Sequence, residues 1–110
     1  MEEDLVIHMS QQTPYEHIEY SSEVLDMLAQ QVKGTTFEVF RFIWNNRSRG
    51  CTKAEIASQS KISRRKYDDA ILVLEAARFI FAEEDGRSIR YFPTVRGRQL
   101  SVYLKSMREE

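Results

Sequence analysis

Residues 35–46 place the strongest constraint on what this chain can fold into. Thr35-x-x-Glu38 has the form of a capping box, in which a hydroxyl and a carboxylate satisfy orphan N–H groups at a helix start. The helix it opens, to about Asn46, carries Phe37, Val39, Phe40, Phe42, Ile43 and Trp44. A helix that is apolar almost all round must be covered on more than one side. The chain has 110 residues, enough for one core without staples. In so short a chain, part of the cover is expected from a second subunit.

The remaining elements follow from local signals. Ser21 or Ser22 can cap a helix bearing Val24, Leu25, Leu28 and Val32 at helical spacing. Asn45–Gly50 reads as a turn, and Thr52-x-x-Glu55 is a second capping box opening a short helix to about Gln59. Ser63 is a good N-cap for a helix to about Ala77 with Tyr67, Ala70, Ile71 and Leu74 on one face. Phe79–Glu83 and Ile89–Phe92 are β-rich runs joined through Asp85-Gly86, a strong hairpin signal. Thr94 starts a last helix with Leu100, Tyr103, Leu104 and Met107 on one stripe. The expected fold is mainly α with a small β-hairpin, an α+β domain over residues 21–110. Residues 1–20 form an acidic lead-in arm, with a short extended piece at Leu5–Met9.

The formal net charge of −1 conceals a partition. Residues 1–32 hold seven acids and no Lys or Arg, whereas residues 33–108 hold all 16 bases against eight acids, a net of +8. That local balance, not the overall one, points to an anionic partner. Seven of the bases fall between Arg47 and Lys66 (Arg47, Arg49, Lys53, Lys61, Arg64, Arg65, Lys66) against one acid, Glu55.

A short helix, a tight turn, a second helix and a hairpin make a winged helix-turn-helix. The run from Ile56 to Tyr67 resembles the helix-turn-helix pattern. Ala57 stands where the two helices touch, Ile62 follows the turn into the core, and Tyr67 faces inward. Lys61 departs from it, because the family usually has glycine in a left-handed conformation there; a side chain costs roughly 1 kcal/mol. From Phe37 to Met107 the layout resembles the dimeric winged-helix families of the MarR, ArsR and PadR type. Tyr91-Phe92-Pro93-Thr94-Val95-Arg96-Gly97-Arg98-Gln99-Leu100 is similar to the way their last helix begins. The layout is also similar to that of the small centromere-binding adaptors of tubulin-type plasmid partition, the TubR group.

The resemblance implies double-stranded DNA as partner. Arg64, Arg65 and Lys66 occupy the first turn of the helix that such proteins push into the major groove. Arg there can pair with guanine or clamp phosphate. Thr52, Lys53 and Ser63 stand at helix N-termini suited to phosphate, with Lys61 in the turn between. Asp69 can accept from cytosine N4, and Arg64–Asp68 and Arg65–Asp69 are i,i+4 pairs. Arg87 and Arg90 on the hairpin are within reach of the neighbouring minor groove. The stripe Leu100, Tyr103, Leu104 and Met107, with Val24, Leu25 and Leu28, is expected to form a two-fold homodimer interface.

Three functions stay open on these residues. One is a dimeric repressor-type regulator. Another is a partition adaptor that coats centromere repeats and presents a surface to a filament-forming NTPase. The third is a winged helix that binds protein alone. No glycine-rich phosphate loop, nucleophile–base set or Cys/His spacing for metal is visible, so neither an enzyme nor a cofactor is expected. His8 and His17 lie apart in the arm. Cys51, the single cysteine, excludes an intrachain disulfide and fits a small packing residue, with a reactive thiol as the alternative. No apolar run spans a bilayer. The expected location is the cytoplasm, on nucleoid or plasmid DNA.

Overall fold

The structure is a computed structural model in which residues 18–108 are described. The Leu5–Met9 piece, His8, His17 and the terminal Glu109-Glu110 lie outside the described residues. The side chains of Asp85, Met107 and Arg108 do so too. The described elements are five helices and a two-stranded antiparallel hairpin. In order they are α1 (Ser22–Ala29), α2 (Thr35–Asn45), α3 (Lys53–Ser60), α4 (Arg64–Ala76), β1 (Ile80–Asp85), β2 (Ser88–Pro93) and α5 (Val95–Arg108).

Local chemistry explains most of the boundaries. Ser21 caps α1, its hydroxyl accepting from the Val24 N–H at 3.3 Å. At α3 both halves of the capping box form: Thr52 Oγ1 accepts from Glu55 N at 3.1 Å, and Glu55 Oε1 accepts from Thr52 N at 3.0 Å. The box expected at Thr35 does not form. The N-cap is Gly34, at φ 60°, so Thr35 is already helical and Glu38 lies one residue too far along to reach back. Glu38 pairs instead with Arg41 at 2.7 Å.

That pair also corrects the reading of α2 as apolar all round. Glu38, Arg41 and Asn45 form a narrow exposed strip. Val39, Phe40 and Ile43 point into the core, while Phe37, Phe42 and Trp44 are half-buried on the flanks. Arginines lie over two of the flanking rings, Arg41 over Phe37 and Arg47 over Trp44 at 4.3 Å.

Helix α4 ends in a Schellman motif with arginine in the glycine position. Arg78 takes φ 66°, its N–H bonds to Glu75 O at 3.0 Å, and the Phe79 N–H bonds to Leu74 O at 2.9 Å. Leu74 and Phe79, the hydrophobic pair of that motif, are both fully buried. The chain then enters β1. Register runs from Ile80 opposite Pro93 to Asp85 opposite Ser88, so the two-residue turn is Gly86-Arg87, one position beyond the expected Asp85-Gly86. Gly86 supplies the positive φ at the first turn position. Tyr91 on β2 also bridges Cys51, tying the hairpin to the segment before α3.

The core lies where α2 crosses α4 and the base of the hairpin. Ile43, Ile56, Ile71, Leu74, Phe79, Ile80 and Leu100 are closed to solvent there. Each such side chain contributes about 1.5–3 kcal/mol. Helix α5 is seated by Thr94, whose hydroxyl donates to Arg78 O at 2.6 Å and accepts from Gly97 N at 3.0 Å. Gly97 has to be glycine, because a Cβ there would overlap the Phe79 carbonyl oxygen.

Residues 18–20, assigned to the arm by sequence, are fastened to α5. Gln99 makes two hydrogen bonds with the Tyr20 backbone, and Tyr20 Oη donates to Ala77 O at 2.7 Å. The Arg96 guanidinium stacks on the Tyr20 ring at 4.2 Å and donates to Ile18 O.

Candidate nucleic-acid interface

Helix α3, a three-residue turn and the start of α4 carry five exposed cations, Lys53, Lys61, Arg64, Arg65 and Lys66. Lys61 in the turn adopts φ 58° and ψ 34°, the left-handed conformation expected at that place. Ile62 folds against the core, and α4 begins after Ser63 in an extended conformation. Ser63 stands at the N-cap as expected, but its side chain makes no capping hydrogen bond. The first N–H groups of α4 therefore have no side-chain acceptor from their own cap.

Arg64, Arg65 and Lys66 follow, all exposed, with no acid in that first turn. The side chain of Arg64 is 86% exposed. Cations at the N-terminal end of a helix sit at the positive end of its dipole, an unfavourable placement that the fold itself does not explain.

Two acids follow on α4, and they differ. Asp69 is exposed, and among the described residues no ion pair joins it to Arg65, contrary to the i,i+4 expectation. Asp68 is half-buried and meets two cations, Lys53 Nζ of α3 at 2.9 Å and Arg64 Nε at 3.8 Å. Its Oδ1 is closed to solvent and, among the described residues, meets Lys53 as an ion pair and no hydrogen-bond donor in good alignment. Asp68 raises the Lys53 pKa above its ordinary range against the opposing effect of burial. Both partners remain more than a third exposed, so the pair is worth roughly 0–1 kcal/mol. The i,i+4 spacing reveals Arg64–Asp68; the Lys53–Asp68 contact joins two helices and leaves no local signal.

The hairpin arginines are used differently. Arg87 stands at the turn, exposed. Arg90 is turned toward the protein: its Nη1 donates to Gly50 O at 3.3 Å and lies 3.7 Å from Glu55 Oε1. It braces β2 against the α3 capping box. Thr52 is half-buried, with its hydroxyl engaged by that box.

The stripe expected to face a second copy is divided. Leu100 is fully buried and Leu25 nearly so, both in the core of a single chain. Val24, Leu28, Tyr103 and Leu104 are half-buried. Met27 and Val102 are 60% and 64% exposed, and neither belongs to the expected set. Met107 lies on α5, with its side chain outside the described residues.

Cys51 is buried, and burial, followed by the nearby Glu55 carboxylate, pushes its thiol up to about 12. A thiol so held is a packing residue, not a nucleophile at neutral pH. Among the described residues no group of three or more His, Cys, Asp or Glu could hold a metal ion. No described helix is long and apolar enough to cross a membrane. No protein-family model matches the chain, and no curated protein matches it.

Proposed function

We propose that this chain is a winged helix-turn-helix protein that binds double-stranded DNA sequence-specifically as a homodimer, acting as a repressor-type regulator. In this reading α3 and α4 are the two helices of the motif and the β1–β2 hairpin is the wing. The leading turn of α4 enters the major groove. Lys61 and the open N-terminus of α4 meet phosphate, and Arg87 reaches the flanking groove.

One observation carries the proposal. Three exposed cations occupy the positive end of α4, where the helix dipole disfavours them and, among the described residues, Asp68 alone pairs with one of them, Arg64. A phosphate backbone supplies what is lacking, since it satisfies the open N–H groups and the guanidinium forks together. The dimeric part of the reading draws on the apolar surface left on α1 and α5 around Met27 and Val102.

The test is a gel shift and footprint of the full chain on the DNA upstream of its own gene. A short protected inverted repeat, with affinity falling steeply as salt rises, is the expected result. Protection over a long repeat array would favour the partition adaptor. Failure to shift any duplex at low salt, with a partner protein bound instead, would leave the protein-only module.

A further inference from the structure

The carboxylate of Asp68 is where the two basic elements meet. It stands one helical turn beyond Arg64 on α4, with Lys53 of α3 at 2.9 Å on one oxygen and Arg64 at 3.8 Å on the other. The oxygen facing Lys53 is closed to solvent. The neighbouring Asp69 is exposed. Pairs between half-exposed partners add little to stability, so Asp68 has a weak structural reason to be acidic. Its effect on an approaching polyanion is larger. A carboxylate beside a phosphate-facing lysine cancels a charge that would otherwise attach to any duplex, whatever its sequence.

We propose that Asp68 is a specificity-determining residue: it withholds Lys53 from phosphate and steadies Arg64, so that binding depends on base contacts made from α4. The proposal rests on the DNA-binding reading above. Its logic is that of a built-in penalty. Discrimination is a difference of affinities: a freed Lys53 would strengthen binding to every duplex alike, whereas an Arg64 released from Asp68 would weaken only the base contacts made on the target. Asp68 acts through Lys53 and Arg64, and so is a positioning residue.

The experiment compares full-length wild type, Asp68→Asn and Glu23→Gln by fluorescence anisotropy across a salt series. Two duplexes serve as probes: the segment protected by the wild type, and a scrambled duplex of the same composition. Asp68→Asn is expected to bind the scrambled duplex about fivefold to tenfold more tightly, with its salt slope steeper by about 0.9. The target is expected to gain less, so that the ratio of the two affinities falls at least threefold. Glu23→Gln, in the exposed first turn of α1, makes the same change in net charge without touching Lys53 or Arg64, and should leave that ratio alone.

Equal effects of Asp68→Asn and Glu23→Gln on both duplexes would overturn the proposal. If Asp68→Asn fails to fold, Lys53→Gln gives a second reading. A withheld Lys53 predicts little loss on scrambled DNA, whereas a slope shallower by about 0.9 would show Lys53 already on phosphate. A wild type that binds neither duplex would instead remove the DNA-binding reading itself, and this proposal with it.

Discussion

Helices α4 and α5 both begin with basic residues, Arg64-Arg65-Lys66 in one and Arg96 with Arg98 in the other, and neither has an acid in its first turn. The protein treats the two ends in opposite ways. At α5 Thr94 caps the helix, and Arg96 is buried against the Tyr20 ring with the Ile18 carbonyl as acceptor. At α4 the cap side chain makes no capping hydrogen bond and the three cations stand in solvent. A buried cation has to be partnered by its own fold, whereas an exposed one at a helix N-terminus can be partnered by a ligand. The first end belongs to folding; the second is the end proposed to meet DNA.

The sharpest way to break this division is at Gly97. Gly97→Ala drives a Cβ into the Phe79 backbone and is expected to cost roughly 3 kcal/mol or more in denaturant unfolding, or to prevent folding. A stable Gly97→Ala protein would mean that the α5 seam is loose. Thr94→Val keeps the side chain's shape and removes its hydrogen bonds with Arg78 O and Gly97 N. It is expected to cost about 1–3 kcal/mol, measured by the same unfolding curves, with charge-driven binding intact in the folded fraction.

Lys61→Gly sits at the other region and has the opposite sign. Relief of the left-handed strain at φ 58° is expected to raise stability by up to about 1 kcal/mol. The lost charge is expected to weaken DNA binding severalfold in a titration. A variant that loses stability would show that the turn relies on the Lys61 side chain.

These positions also show how far the sequence could be read. Thr52-x-x-Glu55 and the turn at Lys61 were legible because each is decided within four residues, by hydrogen bonds and backbone sterics local to the chain. The same local rule misled at Thr35. Gly34 can take a positive φ and accept the cap position itself, which moved the helix start by one residue. The hairpin was legible, but its turn lay one residue further on, since register depends on which residues pair, not on the turn dipeptide alone.

Arg78 in the left-handed region had no local signal. Its conformation is held by the buried Leu74–Phe79 contact and by Thr94, 16 positions away. Of the candidate interface, the exposed cluster on α4 could be anticipated from charge and spacing. The inward turn of Arg90 onto Gly50 and the capture of Lys53 by Asp68 could not, because both join segments distant in sequence.

In the proposed function the leading turn of α4 is held for a ligand and not for the fold. Replacing Arg64, Arg65 and Lys66 together by Ala, and measuring melting temperature and anisotropy on the protected upstream duplex with the same sample, tests it directly. The melting temperature is expected to stay unchanged or to rise by about a degree or two, since the cations oppose the helix dipole. DNA binding is expected to weaken by a factor of about 100 or more, with a salt slope shallower by roughly 2–3. A triple variant that melts well below the wild type, or that binds the duplex as tightly as before, would contradict it.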